Sequence, residues 1–215
     1  MSGARFVYED KARDDVLGMI PTDGSKILSI GCGTGSTEWE LAKAGREVHG
    51  VDILEEAVEV ARGRLASMTL TSPGERLPFD EASFDGLILA DVIEHIPGAW
   101  KALAEFRRFV KVGGWVVISV PNMRGWDVFS QFVLRGDWPE KQTGIFDATH
   151  VQMMSEKRLA RWCEGAGLKP ERWVDRYDPN GPRRLFLSKW ANRLTLGLMR
   201  SWWMYQIQVV CRRVR

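Results

Sequence analysis

The sequence is poor in cysteine and has no long apolar run. Its 215 residues include three cysteines, Cys32, Cys163 and Cys211. An odd number of scattered cysteines excludes both a disulfide framework and a paired-cysteine metal site. No stretch reaches the roughly 18 consecutive apolar residues of a membrane-spanning helix, and residues 1–11 have no secretory apolar segment. We therefore expect a protein of the reducing cytoplasm.

Acidic residues are missing from the last part of the chain. No Asp or Glu follows Asp178, whereas eight Lys and Arg residues do. The other 22 basic residues stand against all 28 acidic ones, which gives the rest of the chain a net charge of −6. We divide the chain into an acidic body, residues 1–178, and a basic tail, residues 179–215.

The basic tail has apolar residues at spacings of three and four, which predicts an amphipathic helix flanked by arginines. These residues are Ala191, Leu194, Leu198, Trp202, Tyr205 and Val209. An Arg-rich helix with tryptophans is typical of a membrane surface, here the inner face of the membrane. The alternatives are docking on the body, or on a second subunit in a homodimer, and binding of nucleic acid. All three interpretations stay open.

The acidic body alternates short apolar runs with helical patterns. Near-continuous apolar runs are typical of parallel strands that are buried on both faces. Strands are predicted at 26–30, 47–51, 67–71, 84–90, 115–120 and 171–177, and helices at 36–44, 54–65, 100–110 and 156–164. The alternation predicts an α/β fold with a doubly wound, mostly parallel sheet, followed by the helical tail.

A glycine loop, residues 29–35 with the sequence SIGCGTG, follows the first strand and leads into the first helix. Glycine lacks the Cβ atom that would keep a ligand from the backbone, and the helix that follows presents free N–H groups. Asp52 ends the next strand, where its carboxylate can accept both hydroxyls of an adenosine ribose. The pattern is GxGxG rather than the GxGxxG of dinucleotide sites. We therefore predict a nucleoside site.

The glycine loop, Asp52 and three further segments together resemble the class I S-adenosylmethionine-dependent methyltransferases over residues 8–177. The further segments are LPFDEASFD at 77–85, DVIEHI at 91–96 and GGWVVISVPN at 113–122. The resemblance implies a methyltransferase with S-adenosylmethionine as its cofactor. It implies cofactor contacts at Gly31, Cys32, Gly33, Gly35, Asp52, Ile53, Gly74, Glu75 and Ala90.

Two positions depart from the pattern of this family. Ser29 stands where such proteins usually carry an acid that supports the loop, and Pro73 stands where an acid often meets the adenine amino group. The departures imply either a modest cofactor affinity or a replacement of the missing acid by backbone groups of residues 72–75.

A candidate metal site follows the fourth strand. Asp91, Glu94 and His95 are spaced so that one helical turn would bring their side chains to one face. His150 lies on a segment that we expect to return over the same sheet edge. Two carboxylates and two imidazoles suit a divalent ion such as Mg²⁺ or Mn²⁺. The arrangement is similar to the metal sites of small-RNA 2′-O-methyltransferases and ubiquinone-pathway O-methyltransferases.

Two alternatives to the metal stay open. His95 or His150 could act as a metal-free general base, or the histidines could be purely structural. In the catalytic readings, His95, His150 and Asp91 serve an O-methyl transfer, because a hydroxyl needs a base or a cation to become a nucleophile. Residues 122–147 are expected to form a lid. Tyr8 and Arg13 either close the cofactor pocket from the other side or belong to a plain surface helix.

A finer resemblance concerns the acceptor. The segments GDWP at 136–139 and GIFDATH at 144–150 look like a methyltransferase branch associated with bacterial surface polysaccharides. This implies a hydroxyl of a sugar, glycan or lipid-linked glycan as acceptor. The alternatives are a phenolic or quinone-type small molecule, and a regulatory protein that binds S-adenosylmethionine without catalysis. The motifs of nucleic-acid base methyltransferases are absent, which argues against a nucleic-acid partner.

Overall fold

The protein is described by a computed structural model that covers residues 10–177, 190, 193–196 and 200–215. Within these residues seven strands form one sheet in the order β3-β2-β1-β4-β5-β7-β6. The strands are β1 Lys26–Ile30, β2 Glu47–Asp52, β3 Ser67–Leu70, β4 Phe84–Ala90, β5 Val110–Pro121, β6 Leu168–Tyr177 and β7 Met204–Arg213. Strands β1 to β5 pair in parallel, whereas β7 is antiparallel to both β5 and β6.

Helices connect the strands. They are α1 Asp14–Leu17, α2 Ser36–Lys43, α3 Glu55–Arg62, α4 Ala99–Phe106, α5 Trp126–Val128, α6 Glu156–Gly165 and α7 Arg200–Trp203. Two 3₁₀ turns lie at Ile93–His95 and Arg107–Phe109, and a π-helical turn lies at Phe129–Leu134. The predicted α/β fold with its doubly wound, mostly parallel sheet is confirmed. None of the helices in the described residues has both the length and the apolar character that crossing a membrane requires.

The hydrophobic core lies on both faces of the sheet. Successive side chains of a strand point to opposite faces. In β4, Leu87 and Leu89 belong to the cluster on one face and Ile88 to the cluster on the other, and all three are at most 1% exposed. A strand between two such layers needs apolar residues at every position, which explains the continuous apolar run in the sequence.

The prediction of a helical tail is wrong for its last part. Residues 204–213 form strand β7, which lies between β5 and β6 with Ile207 and Val209 fully buried. The apolar spacing that predicted a helix continues into this segment. Both of its faces are buried, as in a central strand, with Ile207 and Val209 on one face and Gln206 and Gln208 on the other. Helix α7 ends at Trp203, and Ala191 and Leu198 lie outside the described residues. Since β7 belongs to the sheet of the body, the division at residue 178 does not separate two independent units.

Basic residues near the end of the chain pair with acids of the body. Arg212 lies 2.5 Å from a carboxylate oxygen of Asp23 and 3.1 Å from one of Glu171. Arg200 donates to Asp175 at 2.6 Å and lies 3.3 Å from Glu156. The uneven charge distribution of the sequence is therefore compensated within the fold, at least at these two arginines.

Candidate active site

A cavity of about 1670 Å³ opens where the carboxyl ends of the parallel strands meet. Ligands of open α/β sheets bind at this edge. Strand β7 is antiparallel, so its beginning lies at the same edge. Tyr205 and Gln206, near the start of β7, therefore line the cavity. Most of the predicted cofactor residues line it as well, namely Gly31, Cys32, Asp52, Ile53, Gly74, Glu75 and Ala90. The other two, Gly33 and Gly35, are not among its lining residues.

The three glycines of the loop shape its backbone. Gly31, Gly33 and Gly35 have φ angles of 69°, 56° and 72°, a region that favours glycine. A Cβ atom at Gly31 would lie 2.5 Å from a methyl group of Val92. At Gly31, the missing side chain therefore makes room for the protein's own packing as well as for a ligand. Helix α2 begins directly after Gly35, so its first N–H groups lie beside the loop.

Asp52 fixes the loop from the neighbouring strand. Its carboxylate is 2% exposed and accepts a hydrogen bond from the Gly33 N–H at 2.7 Å. The other carboxylate oxygen accepts from the N–H groups of Ile53 and Leu54 at 2.8 and 3.0 Å. These bonds orient the carboxylate at the cavity wall, where it can also meet a ribose.

An acid that sequence reasoning missed lies on the other side of the loop. The Ser29 hydroxyl donates to Oε1 of Glu38 at 2.7 Å, and both residues line the cavity. Glu38 is 4% exposed, and burial raises the pKa of its carboxyl. The sequence does contain a pattern that could have identified Glu38, namely a serine at position 29 followed by an acid in the first turn of the next helix.

Glu94, His95 and His150, called here the histidine cluster, offer ligand atoms that lie within 4.8 Å of one another. The first two share the 3₁₀ turn after β4. His150 comes from a distant segment, which is fixed where the Val151 and Gln152 N–H groups donate to the Glu94 carbonyl at 2.9 and 3.0 Å. The two imidazole rings lie 4.7 Å apart between centroids.

The carboxylate of Glu94 is fully buried, and neither of its oxygens has a hydrogen-bond partner among the described residues. Burial, and after it the nearby Asp91 carboxylate, raise the pKa of Glu94 well above its usual range. A buried carboxylate without a partner is strongly unfavourable unless a cation or a proton satisfies it. Together with two imidazoles, this carboxylate fits a divalent ion.

Asp91 lies outside the histidine cluster. Its carboxylate forms an ion pair with Arg13 and accepts from the Gln206 amide at 2.7 Å. Asp91 has a φ of 55°, so the chain turns directly after β4 instead of starting the helical turn that the sequence predicted. The structure thus brings three of the four predicted metal ligands together. Arg13 lines the cavity as expected, whereas Tyr8 lies outside the described residues.

Two residues that sequence reasoning missed orient His95. The Thr149 hydroxyl donates to Asp147 at 2.6 Å and lies 2.9 Å from Nδ1 of His95. Because the hydroxyl proton is used on Asp147, Nδ1 of His95 must be the donor in the second bond, which leaves a lone pair on Nε2. Burial and then His150 lower the pKa of His95. A neutral imidazole with a fixed tautomer suits both a metal ligand and a general base.

The segment that was expected to form a lid contributes one wall of the cavity through Gln142, Thr143, Gly144 and Asp147. Its π-helical turn exposes three consecutive apolar side chains, Phe132, Val133 and Leu134. The lid segment therefore has a polar side toward the cavity and an apolar side toward solvent.

Comparisons with known proteins agree with this architecture. A family model described as "Methyltransferase domain" matches residues 28–118. Among solved structures, a SAM-dependent methyltransferase from Archaeoglobus fulgidus is 20% identical with a TM-score of 0.62, and the match covers 87% of this chain and 85% of that one. A possible histamine N-methyltransferase from Thermotoga maritima is 17% identical with a TM-score of 0.65, covering 93% and 86%. These two likenesses concern the fold.

Curated relatives extend the comparison beyond the fold. The ubiquinone biosynthesis O-methyltransferase of Thiobacillus denitrificans is 29% identical over 157 residues, which are 70% of this chain and 67% of that protein. The protein of the same name from Paraburkholderia phymatum is 32% identical over 151 residues, or 67% and 65%. The chain thus spans about two thirds, or slightly less, of the length of these relatives.

Proposed function

The chain belongs to the class I S-adenosylmethionine-dependent methyltransferases, and from this premise we propose that it methylates a hydroxyl oxygen of a small phenolic acceptor of quinone type. The observation that carries the oxygen acceptor is the histidine cluster at the cavity wall, which offers both a base and a cation site for a hydroxyl. The matched relatives are named as O-methyltransferases of ubiquinone biosynthesis, which supports a phenolic acceptor. They give no support to the sugar or glycan acceptor expected from residues 136–150.

In the proposed reaction the protein mainly aligns the reactants. Bound S-adenosylmethionine supplies an electrophilic methyl group on a sulfonium. We assign the binding of its ribose to Asp52, and that of its adenine to Ile53 and the backbone around Gly74. The acceptor oxygen has to lie in line with the methyl group at about 3–3.5 Å in a site without water. Gly33 and Gly35 contribute by shaping the loop.

The histidine cluster would remove the acceptor proton. Nε2 of His95 carries the lone pair that can take it, with Thr149 and Asp147 keeping the ring in place. In the alternative form of the proposal, Glu94, His95 and His150 would hold a divalent ion such as Mg²⁺ or Mn²⁺, which would lower the pKa of the acceptor hydroxyl. The Nε2 lone pair of His95 would then be a metal ligand instead of the base. Asp91, paired with Arg13, faces the same cavity as a positioning residue.

The test uses purified protein, S-adenosylmethionine and two probe acceptors, catechol and a methyl glycoside. We expect methylation of catechol only. The variants His95→Ala and His150→Ala should each abolish most turnover, and the double variant should be little worse, because groups that act together lose function non-additively. The control is His49→Ala, since His49 lies in β2 and contacts Ser67 and Glu47.

Each outcome separates one element of the proposal. A chelator should reproduce the histidine variants, and added Mg²⁺ or Mn²⁺ should reverse its effect. Full activity in chelator with inactive histidine variants would leave a metal-free base. Methylation of the glycoside alone would restore the glycan acceptor. Cofactor binding without turnover of any acceptor would favour a regulatory protein.

The membrane contact expected for residues 179–215 cannot use β7, which is buried in the sheet, but Trp190, Leu194 and Leu196 of the preceding part are exposed and keep it a proposal. We propose the exposed turn with Phe132, Val133 and Leu134 as a further contact, at the inner face of the membrane. Sedimentation with anionic vesicles should decrease when Phe132 and Leu134 are both changed to Ser. If the same change instead alters the sedimentation equilibrium of the protein alone, the turn is a contact between two copies of the chain.

A further inference from the structure

Glu38 is a buried acid without a cationic partner in the described part of the chain. It lies in the first turn of α2, is 4% exposed, and accepts one side-chain hydrogen bond, from the Ser29 hydroxyl at 2.7 Å. The groups that act on its ionisation are burial, the Ser29 bond, its own backbone N–H and the carboxylate of Asp52. No Lys, Arg or His of the described residues is among them. A buried carboxylate in this situation favours the approach of a cation.

The two acids on either side of the glycine loop differ in how they are satisfied. Asp52 accepts three backbone N–H groups, those of Gly33, Ile53 and Leu54. Glu38 accepts one side-chain hydrogen bond, from the Ser29 hydroxyl, besides the bond from its own backbone N–H. Both acids line the cavity. The acid on the α2 side of the loop is therefore the one that still lacks a strong donor.

We propose that Glu38, oriented by Ser29, binds the α-ammonium group of S-adenosylmethionine. An ammonium group brings three N–H donors and a positive charge, which match a buried carboxylate whose donors among the described residues are a hydroxyl and its own backbone N–H. The sulfonium of the same cofactor carries charge but no hydrogen-bond donor. The inference rests on the proposed function in one respect, that the cavity takes S-adenosylmethionine.

Three ligands that differ in their charged groups can test which group Glu38 binds. S-adenosylmethionine has the ammonium and the sulfonium, S-adenosylhomocysteine has the ammonium alone, and 5′-methylthioadenosine has neither. Calorimetry should show that Glu38→Gln weakens binding of the first two ligands by the same factor, about 10- to 100-fold, as expected for a hydrogen bond to a charged group. Binding of 5′-methylthioadenosine should stay within about twofold of the wild-type value, because that ligand lacks the group concerned. The control is Glu40→Gln, an exposed acid of the same helix that pairs with Lys43.

The other outcomes overturn the assignment. If Glu38→Gln loses affinity for S-adenosylmethionine alone, Glu38 contacts the sulfonium. If it loses affinity equally for all three ligands, Glu38 only shapes the loop. If no affinity is lost, Glu38 does not contact the cofactor. If the wild-type protein binds none of the ligands, the proposed function itself fails.

A second variant covers the case that Glu38→Gln does not fold. The double variant Ser29→Asp/Glu38→Gln moves the carboxylate from position 38 to position 29, the residue whose hydroxyl lies 2.7 Å from Glu38. We expect this double variant to keep the wild-type ratio of S-adenosylhomocysteine affinity to 5′-methylthioadenosine affinity. A tenfold fall in that ratio in the folded double variant would contradict the proposal.

Discussion

The part of the cavity that we propose for the cofactor, called here the cofactor half, differs in construction from the part that we propose for the acceptor, called here the acceptor half. In the cofactor half, Asp52 is the last residue of β2, and Gly31 and Gly74 lie in short segments that follow β1 and β3. In the acceptor half, Asp91 is bound by Arg13, 78 positions earlier, and by Gln206, 115 positions later. The first half is a set of local turns, and the second is a network that exists only once distant segments have met. A local turn leaves a sequence pattern, whereas such a network does not.

Strand β7 brings together the distant segments of the acceptor half. Its residues pair with β5 on one side and β6 on the other, and Gln206 and Gln208 extend its contacts to Asp91 and Asp15. A segment that sequence patterns assigned to the periphery is therefore central to the acceptor half. Substitutions in one half should leave the other half intact, and the largest effect is expected in β7.

Changing Val209 to Asp should remove the acceptor half altogether. Val209 is fully buried between Ile118 and Trp173, and neither of these cross-strand neighbours carries a charge that could pair with an aspartate. We expect a loss of more than about 4 kcal/mol in the free energy of unfolding, measured by urea titration. Val214→Asp is the control, because Val214 is 53% exposed. Equal urea midpoints for the two variants would show that β7 is dispensable.

Changing Asp52 to Ala should affect the cofactor half. The variant loses the proposed ribose acceptor, so we expect S-adenosylmethionine to bind more weakly by about 1.5–3 kcal/mol in calorimetry. Metal binding at the histidine cluster should be unchanged, because those ligands follow another strand. Asp80→Ala, at an exposed position, serves as the control. An unchanged affinity in folded Asp52→Ala would remove the ribose assignment.

The sequence predicts the cofactor half of the cavity better than the acceptor half. The glycine loop and Asp52 were recognisable because each is a contiguous pattern at the end of a strand. Thr149 was not, since its importance depends on contacts with both Asp147 and His95. Strand β7 was misread because apolar residues three and four apart occur in a buried strand as well as on a helix face. What distinguishes the two is burial on both sides, which pairing with β5 and β6 provides.

Changing Thr149 to Val should affect the acceptor half without unfolding it. The valine removes the hydroxyl that fixes the tautomer of His95, and loss of such a supporting partner typically lowers metal affinity or activity about 10- to 100-fold. We expect this effect in Mn²⁺ titrations and in turnover, with unchanged affinity for S-adenosylmethionine. Thr22→Val, at an exposed position, is the control. Wild-type Mn²⁺ affinity and turnover would show that His95 needs no such support.

Asp85 lies at the opposite edge of the sheet, away from the cavity, so its substitution should affect stability without affecting ligand binding. Its carboxylate accepts from Lys111 at 2.7 Å and from the Ser25 and Lys26 N–H groups at 2.9 Å, and Lys111 is the main cause that lowers its pKa to about 2. Because the pKa is depressed on folding, the stabilisation is present above about pH 4 and is lost as the pH falls toward 2.

Asp85→Asn should therefore lose roughly 1–2 kcal/mol at pH 7, since solvent screens these partly exposed pairs. The difference from wild type should shrink as the pH is lowered through 4. Urea midpoints between pH 7 and pH 3 measure it. If the urea midpoints of the two proteins changed in parallel with pH, the stabilisation would belong to another group. The affinity for the cofactor should be the same in both proteins.

The position of β7 also affects how the chain is made. Both of its sheet neighbours precede it in the sequence, so β5 and β6 leave the ribosome before the strand that pairs with them. During that interval each presents an unpaired edge, which is a template for association with other chains. Pairing over such sequence distances is also slow. We expect nascent chains that contain β6 but not yet β7 to be the species most prone to aggregation.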